Sequence, residues 1–240
     1  MLKPVKRQSL SDAVFEQLRD QIVLGNMVPG EILPAERVLA EKFGVNRGAL
    51  REALKRLEQA RLVAIQHGGS TRVLDFRQTA GMDLLTQLLV GPHGFNLPVA
   101  RSVVEMRSAL APDIARLSAE RRRPETASAL AAVVKEMEGA KGDLPRLQRL
   151  AMDFWSVLVD GSDNLAYRLA LNTLRESYLK LADLLTETLK DELSYLAGYR
   201  AIAEAVEKQD GIKAEKKTKE LVQRGGRRLL ELLDAAGELS

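Results

Sequence analysis

Apolar residues recur at helical spacing in three successive segments near the start of the chain. Residues three or four apart share one face of a helix, so each repeat predicts a buried face on an otherwise polar helix. These faces consist of Val14, Leu18 and Ile22 within residues 12–24, then Val38, Leu39 and Phe43, then Leu50, Leu54 and Leu57. We expect the three helices to share one small core, with Ser11 capping the first helix.

The second and third predicted helices are joined by the short turn Gly44-Val45-Asn46. Glycine readily adopts the left-handed backbone conformation that ends a helix, and an asparagine side chain can cap the first turn of the next one. Two packed helices joined in this way are typical of a helix-turn-helix.

A two-stranded wing is predicted directly after the third helix. Residues 62–66 alternate between apolar and polar side chains, and residues 71–74 form a second strand-like segment. The intervening residues 67–70 have turn chemistry. The sequence therefore predicts a winged helix-turn-helix over residues 1–76, with His67 at the tip of the wing.

From residue 77 onward, apolar residues recur at helical spacing almost without interruption. No strand pattern follows Leu74, and Pro112 is expected to bend a helix or to mark a joint within it. We predict helices over residues 77–90, 97–121, 125–138, 143–160, 164–190, 192–208 and 211–236. The fold class is therefore mostly α, with an N-terminal winged helix-turn-helix followed by an all-helical bundle over residues 77–240.

Composition narrows the class of protein. The chain has no cysteine, which excludes disulfides and thiolate metal sites. It lacks an uninterrupted apolar run of about 20 residues, and its first residues lack the apolar core of a signal peptide, so we expect a cytoplasmic protein without a membrane partner. An enzyme is disfavoured because there is no glycine-rich phosphate loop, no cysteine nucleophile and no histidine near a plausible catalytic partner.

Positive charge is concentrated where the winged helix is predicted. Of the chain's 36 Lys and Arg and 33 Asp and Glu, residues 1–77 carry 13 and 9, which leaves 23 and 24 for the remainder. The excess lies where DNA would bind, although a difference of this size is also typical of an ordinary solvated surface.

The first turn of the third predicted helix carries residue types suited to DNA. Arg47 and Arg51 offer planar guanidinium groups for guanine edges or phosphates, and Gly48 and Ala49 are small enough for close approach. In a helix-turn-helix this turn lies against the major groove. Arg37, at the start of the preceding helix, can reach a phosphate. The alternative is that these arginines are surface charges on amphipathic helices.

The stretch from Gly30 to Val73, GEILPAERVLAEKFGVNRGALREALKRLEQARLVAIQHGGSTRV, closely resembles the N-terminal domain of the GntR family of bacterial transcription factors. Its PGxxLPAER, VxRxxLREAL and IQHG features match the FadR-like branch in particular. The resemblance implies a homodimer that binds a palindromic operator in double-stranded DNA. It also implies that the C-terminal helical domain holds a small-molecule effector.

The same resemblance assigns individual residues to the DNA surface. The DNA-facing polar positions of the family align with Asn46, Gly48 and Ala49. His67 and Gly68 correspond to a wing tip that enters the minor groove, for which an ordinary hairpin turn is the alternative.

The chain departs from the metal-binding pattern found in many relatives. Those proteins hold a divalent metal with one aspartate and three histidines, whereas Ala151, Trp155 and Tyr199 occupy the positions of the aspartate and two of the histidines. The chain has two histidines in all, His67 and His93, which cannot supply three imidazoles within one bundle. We therefore predict neither a metal nor another cofactor.

Without a metal, the resemblance to the FadR branch implies a long-chain fatty acyl-CoA as the effector. Met152, Phe154, Trp155 and the leucine-rich residues 181–185 could line an apolar cavity for its acyl chain. Residues of these types at helical spacing are also ordinary core residues.

Arg107 matches an arginine with which relatives meet an acidic group of the ligand. An exposed salt bridge is the alternative, because apolar residues flank Arg107 on both sides and leave its direction open. We name Arg107, Trp155 and Tyr199 as candidate effector-binding residues.

The sequence thus predicts a transcription regulator whose operator affinity is controlled by an effector in the helical domain, for which we favour a fatty acyl-CoA. A regulator of the same fold that senses a small organic acid without a metal is the main alternative. A constitutive architectural DNA-binding protein is a further one, and it predicts a solid bundle without a cavity. Residues 75–79 are the expected route from effector to DNA.

Overall fold

The structure, a computed structural model, describes residues 9–66, 70–91 and 94–237. Its internal contacts divide the chain into two compact units, with the division between Leu84 and Leu85. The domain boundary predicted after residue 76 lies slightly earlier in the chain. Across the described residues, no helix combines the length and the apolar character that a bilayer crossing requires.

The first helix, α1 (Leu10–Val23), begins at a capping box. The Ser9 hydroxyl accepts a hydrogen bond from the Asp12 backbone N–H at 3.1 Å, and the Asp12 carboxylate accepts one from the Ser9 backbone N–H at 3.3 Å. The prediction of Ser11 as the cap was wrong, because Ser11 lies inside the helix and is buried.

The predicted turn joins α2 (Glu36–Phe43) to α3 (Arg47–Gln59). Gly44 ends α2 in the left-handed conformation, with φ of 63° and ψ of 32°. Asn46 precedes α3 with an extended backbone and caps it through its side chain. Both predictions for this turn are confirmed.

The apolar faces of the three helices form the core of the first unit. The predicted residues Leu18, Leu50 and Leu57 are completely buried there. Arg56 of α3 also contacts α1, because its guanidinium carbon lies 4.4 Å from the centroid of the Phe15 ring, within cation–π distance.

The predicted wing consists of β1 (Val63–Ile65) and β2 (Thr71–Val73), which pair antiparallel with Val63 opposite Val73. Ile32 forms an isolated antiparallel bridge with Arg72, so a third backbone segment joins the sheet. The predicted wing-tip residues His67 and Gly68 lie outside the described residues.

The segment after the wing differs from its prediction. Instead of one helix over residues 77–90, the chain forms a series of short elements. These are α4 (Phe76–Thr79), a 3-10 turn (Met82–Leu84), α5 (Leu85–Leu88) and the paired strands β3 (Val90–Gly91) and β4 (Gly94–Phe95). The helix breaks because Ala80 is extended and Gly81 follows it. The expectation of no strand after Leu74 was also wrong, since a two-residue strand is too short to show alternation.

In the part of the second unit that the structure describes, eight more helices follow. They are α6 (Leu97–Glu120), α7 (Pro124–Gly139), α8 (Leu144–Gly161), α9 (Leu165–Lys180), α10 (Ala182–Thr188), α11 (Lys190–Leu193), α12 (Leu196–Glu207) and α13 (Gly211–Gly237). Helix α6 continues through Pro112, so no joint forms there. The predicted helices over residues 164–190 and 192–208 are each divided. In the first, Leu181 and Leu189 flank α10 and are themselves packed inward, which hides the breaks from the apolar pattern. In the second, Ser194 and Tyr195 separate α11 from α12.

The core of the second unit is built around α8, with α13 packed against α6 and α12. Phe154 and Leu158 of α8 are completely buried. Phe154 meets the Tyr199 ring edge-to-face at 5.0 Å and the Trp155 ring at 6.1 Å. The predicted fold class, mostly α with an N-terminal winged helix-turn-helix, is confirmed.

Candidate DNA-binding surface and effector cavity

Arg47 and Gly48 in the first turn of α3 are exposed to solvent, and Ala49 is half-buried. The Asn46 Oδ1 atom accepts a hydrogen bond from the Ala49 backbone N–H at 2.8 Å, which fixes the start of the helix. A Cβ atom added at Gly48 would lie 3.1 Å from that oxygen, so glycine keeps the cap unstrained. Arg47 is exposed and has no ion-pair partner among the described residues, and its guanidinium is therefore available to a ligand.

The other two candidate arginines are held by carboxylates on the surface. Arg37 meets Glu41 at 3.1 Å within α2, and the Arg51 Nε atom meets Glu36 at 2.7 Å between α3 and α2. Exposed ion pairs of this kind contribute only about 0–1 kcal/mol, so a phosphate can compete for either arginine. The N-terminal part of α3 carries the four predicted residues Arg47, Gly48, Ala49 and Arg51.

Arg72 in the wing has a structural contact that the sequence did not suggest. Its Nη1 atom donates a hydrogen bond to the Gly30 carbonyl oxygen at 2.9 Å, which fastens the wing to the segment before α2. The side chain is therefore engaged within the first unit. His67 and Gly68 stay predictions, since neither is described.

The second unit contains an apolar cavity of about 180 Å³. Side chains of α6, α8, α9, α10, α11 and α13 surround it. The aliphatic part of its lining includes Val104, Leu110, Ile114, Ala151, Met152, Leu171, Leu185 and Leu229, and polar or aromatic groups are contributed by Arg107, Trp155, Tyr167, Arg175, Tyr178 and Glu192. The cavity contradicts the solid bundle expected of an architectural DNA-binding protein.

Arg107 turns into this cavity and forms an ion pair with Glu192. The Arg107 Nη1 atom donates to Glu192 Oε2 at 3.0 Å, and Nη2 donates to Glu192 Oε1. The Glu192 side chain is only 2% exposed. Burial acts to lower the pKa of Arg107, but the adjacent Glu192 carboxylate outweighs it, and the pKa is raised. The guanidinium of Arg107 is therefore held in its charged form.

Two further features hold the pair in place. The Arg107 guanidinium carbon lies 5.4 Å from the centroid of the Trp155 ring, within cation–π distance. Gly225 of α13 leaves room for Glu192, because a Cβ atom there would overlap Glu192 Oε2 and lie 2.8 Å from Leu189 Cδ2. The carboxylate thus fits against a helix backbone that lacks a side chain.

Of the three predicted effector residues, Arg107 and Trp155 line the cavity, whereas Tyr199 is absent from its described lining. Tyr199 is completely buried against Phe154, and its hydroxyl has no hydrogen-bond partner among the described residues. Burial raises its pKa well above the usual value. Phe154 likewise belongs to the core rather than to the cavity. Met152 does line it, as predicted.

Sequence reasoning missed Glu192 and Tyr178 in the cavity wall. Burial is the main cause that raises the pKa of Tyr178 above its usual value. Glu192 carried one available signal, since it lies beside Leu193 and three residues after Leu189 on a helix face that is otherwise apolar.

The residues at the positions of the relatives' metal ligands do not fit a metal. Ala151 has no donor atom, and Trp155 offers only an indole N–H. Among the described residues, no three His, Asp or Glu side chains are grouped so that they could hold an ion. His67 and His93 lie outside those residues.

A winged helix with an arginine-bearing recognition helix, joined in one chain to a helical unit with an apolar cavity, defines the class of effector-responsive DNA-binding regulators. Residues 10–73 match the family described as "Bacterial regulatory proteins, gntR family", and residues 102–224 match the FCD domain. The chain belongs to the GntR family of bacterial transcription regulators, with an FCD effector-binding domain.

Relatives of known name agree with this assignment. The chain is 38% identical over 232 residues to the HTH-type transcriptional regulator Mce2R of Mycobacterium tuberculosis, which covers 97% of this chain and 96% of that protein. It is 32% identical over 177 residues to the fatty acid metabolism regulator protein of Cronobacter sakazakii, which covers 74% and 72%.

A solved structure shares the fold. This structure is that of Lar, described as controlling the expression of the Listeria monocytogenes agr system. The match covers 95% of this chain and 100% of the Lar chain, at 19% sequence identity and with a TM-score of 0.56. Both relatives are named as regulators.

Proposed function

We propose that a homodimer of this chain binds a palindromic operator through the first turns of its two α3 helices, and that a fatty acyl group in the cavity of the second unit controls operator affinity. The effector we favour is an acyl-CoA. The observation that carries this choice is the cavity itself, whose lining is aliphatic apart from a few polar and aromatic side chains.

The DNA-binding half of the proposal rests on α3. Arg47 is exposed and has no ion-pair partner among the described residues, while Gly48 and Ala49 place no bulk between the helix and a base pair. Arg37 and Arg51 exchange surface carboxylates for phosphates. Phosphate contacts supply most of the affinity, and contacts to base edges supply the choice of sequence.

The volume of the cavity supports a mechanism in which the bound effector moves the cavity walls apart. A volume of about 180 Å³ is close to that of an engineered apolar cavity of about 150 Å³ that binds benzene. The tail of a long acyl chain is larger, so its entry requires the walls to move apart. A ligand that binds the open arrangement better than the closed one shifts the population between them.

Two features support an acyl effector beyond cavity shape. The positions that hold a metal in relatives carry Ala151, Trp155 and Tyr199, so a metal-bound organic acid has no anchor here. The similarity to a protein named as a fatty acid metabolism regulator covers 74% of the chain. A second candidate effector is a short organic acid held without a metal, and the small volume of the cavity favours it.

The experiment uses Trp155, which is the only tryptophan of the chain and lies in the cavity wall. Its fluorescence is titrated with butanoyl-, octanoyl- and palmitoyl-CoA and with the corresponding free acids. In parallel, anisotropy of a labelled duplex selected by the protein from a random pool reports DNA affinity. We expect the longer acyl-CoAs to change DNA affinity by about 5 to 150-fold, the usual range of allosteric coupling.

The two candidate functions give different outcomes. Tighter binding with each added length of chain supports the acyl effector, whereas preference for the short free acids supports the organic-acid sensor. An unchanged DNA affinity at saturation with all ligands would contradict effector control. Arg47→Ala serves as the matched control, because it should weaken DNA binding and leave the Trp155 titration intact.

A further inference from the structure

We propose that Glu192 acts as an internal carboxylate that occupies the anion-binding position of Arg107 and so excludes ligands that would place a free carboxylate there. The ligand group beside Arg107 is then uncharged, as in a thioester, ester or amide. The proposal rests on the proposed function of the cavity as the effector site, and it names the chemical class of the ligand at that point.

The geometry of the pair carries the first step. A guanidinium recognises a carboxylate best when two parallel N–H groups meet its two oxygens. The Arg107 Nη1 and Nη2 atoms already make this two-point contact with Glu192. A ligand carboxylate therefore finds the preferred edge of Arg107 occupied.

The enclosure of Glu192 carries the second step. Its side chain is 2% exposed, and Gly225 of α13 leaves space for it where a larger residue would not. Displacing this carboxylate would leave a buried charge without its partner, which is strongly unfavourable. The Glu192 carboxylate, once displaced, would not be stabilised by water, so it competes strongly with a ligand carboxylate for Arg107.

The remaining charges near the cavity decide whether a second anion could be accommodated. Arg175 of α9 is the other cation in the described lining, and its side chain is exposed to solvent. The hydroxyl groups of Tyr167 and Tyr178 are neutral, and the pKa of each is raised above its usual value. A free carboxylate beside Arg107 would therefore stand next to Glu192 with no further buried cation in the described part of the lining.

The test uses octanoate and octanamide, which have the same shape and differ in charge. Binding to the full chain is measured by Trp155 fluorescence and by calorimetry. We expect wild type to bind octanamide about tenfold or more tightly than octanoate. Glu192→Gln frees the guanidinium of Arg107 for the ligand carboxylate, so octanoate affinity should rise about tenfold or more, which corresponds to one hydrogen bond to a charged group. Asp191→Asn is the matched control, because it removes an exposed charge from the adjacent residue and should change neither affinity.

A second variant guards against misfolding of Glu192→Gln. The double variant Arg107→Gln with Glu192→Gln leaves no unpaired charge, and it should bind octanamide without gaining affinity for octanoate. Equal affinity of wild type for both ligands, with no change in Glu192→Gln, would overturn this proposal alone. Failure of wild type and of Glu192→Gln to bind either ligand would overturn both it and the assignment of the cavity.

Discussion

Two adjacent glycines in α13 offer a matched test of how closely the Arg107–Glu192 pair is enclosed. A Cβ atom at Gly225 would overlap Glu192 Oε2, whereas a Cβ atom at Gly226 would have Ser108 Oγ at 3.6 Å and Val104 Cγ1 at 3.7 Å as nearest neighbours. The first is a clash with buried groups, and the second is ordinary van der Waals contact. We therefore expect Gly225→Ala to destabilise the second unit and Gly226→Ala to stabilise it.

The size of the difference follows from opposing contributions. Alanine is preferred over glycine in a helix by about 0.8–1 kcal/mol, which applies to both variants. Forcing an extra methyl group into a packed interior costs about 1–3 kcal/mol, and a hydrogen bond to a charged group that is lost costs about 1.5–3 kcal/mol. Only Gly225→Ala incurs these costs, so the two variants should differ by about 2.5–6 kcal/mol in free energy of unfolding.

Unfolding in guanidinium chloride, followed by Trp155 fluorescence, measures this difference. Because Trp155 is the only tryptophan and belongs to the second unit, the signal reports that unit alone. At roughly 2–4 °C per kcal/mol, a thermal scan should separate the variants by at least about 4 °C. If Gly225→Ala is as stable as Gly226→Ala, Glu192 is not enclosed by α13, and the proposed role of Glu192 at Arg107 is wrong.

Three further predictions concern single side chains. Arg47→Ala should lower operator affinity by about 1–3 kcal/mol in the anisotropy assay, and an unchanged affinity would contradict its assignment to DNA. Asn46→Ala should destabilise the first unit by about 0.5–2 kcal/mol in calorimetry, while Asn46→Ser retains a cap and most of the stability. Tyr167→Phe removes the 2.7 Å hydrogen bond to Asp113, which is the main cause that lowers the pKa of Asp113 from 3.8. That stabilisation is present above pH 3.8 and is lost as the pH falls through the lowered pKa of the folded state. The variant should therefore lose about 0.5–1 kcal/mol at neutral pH, and the loss should shrink in acid; a loss that stays constant with pH would contradict this.

The features that could be predicted from sequence are those whose causes act over a few residues. The left-handed conformation of Gly44 and the cap by Asn46 each depend on one turn of backbone, and both are confirmed. The cap at Ser9, in place of Ser11, could also be predicted locally, because Asp12 stands three residues after Ser9 and completes a capping box there. The breaks at Leu181 and Leu189 left no such signal, because a leucine that packs inward at a break continues the apolar pattern.

The cavity could be anticipated in kind but not in its chemistry. Trp155 and Met152 indicated an apolar space, and both line it. The partner of Arg107 is 85 residues away in the chain, and its burial depends on a glycine of another helix, so no local pattern pairs them. Tyr199 corresponds to a histidine ligand of the relatives, but a tyrosine side chain at that position packs into the core beside Phe154.

The ion pair changes which part of an effector can control DNA binding. When Arg107 is satisfied by Glu192, a charged ligand group gains little at that point, so differential affinity must come from apolar surface. Burying one methylene group contributes about 0.8 kcal/mol. A coupling of about 1–3 kcal/mol therefore requires only about two to four methylene groups that are buried in one arrangement of the walls and not in the other. Control by an acyl tail should accordingly grow in regular steps with chain length, whereas control by a carboxylate would be complete with the shortest acid.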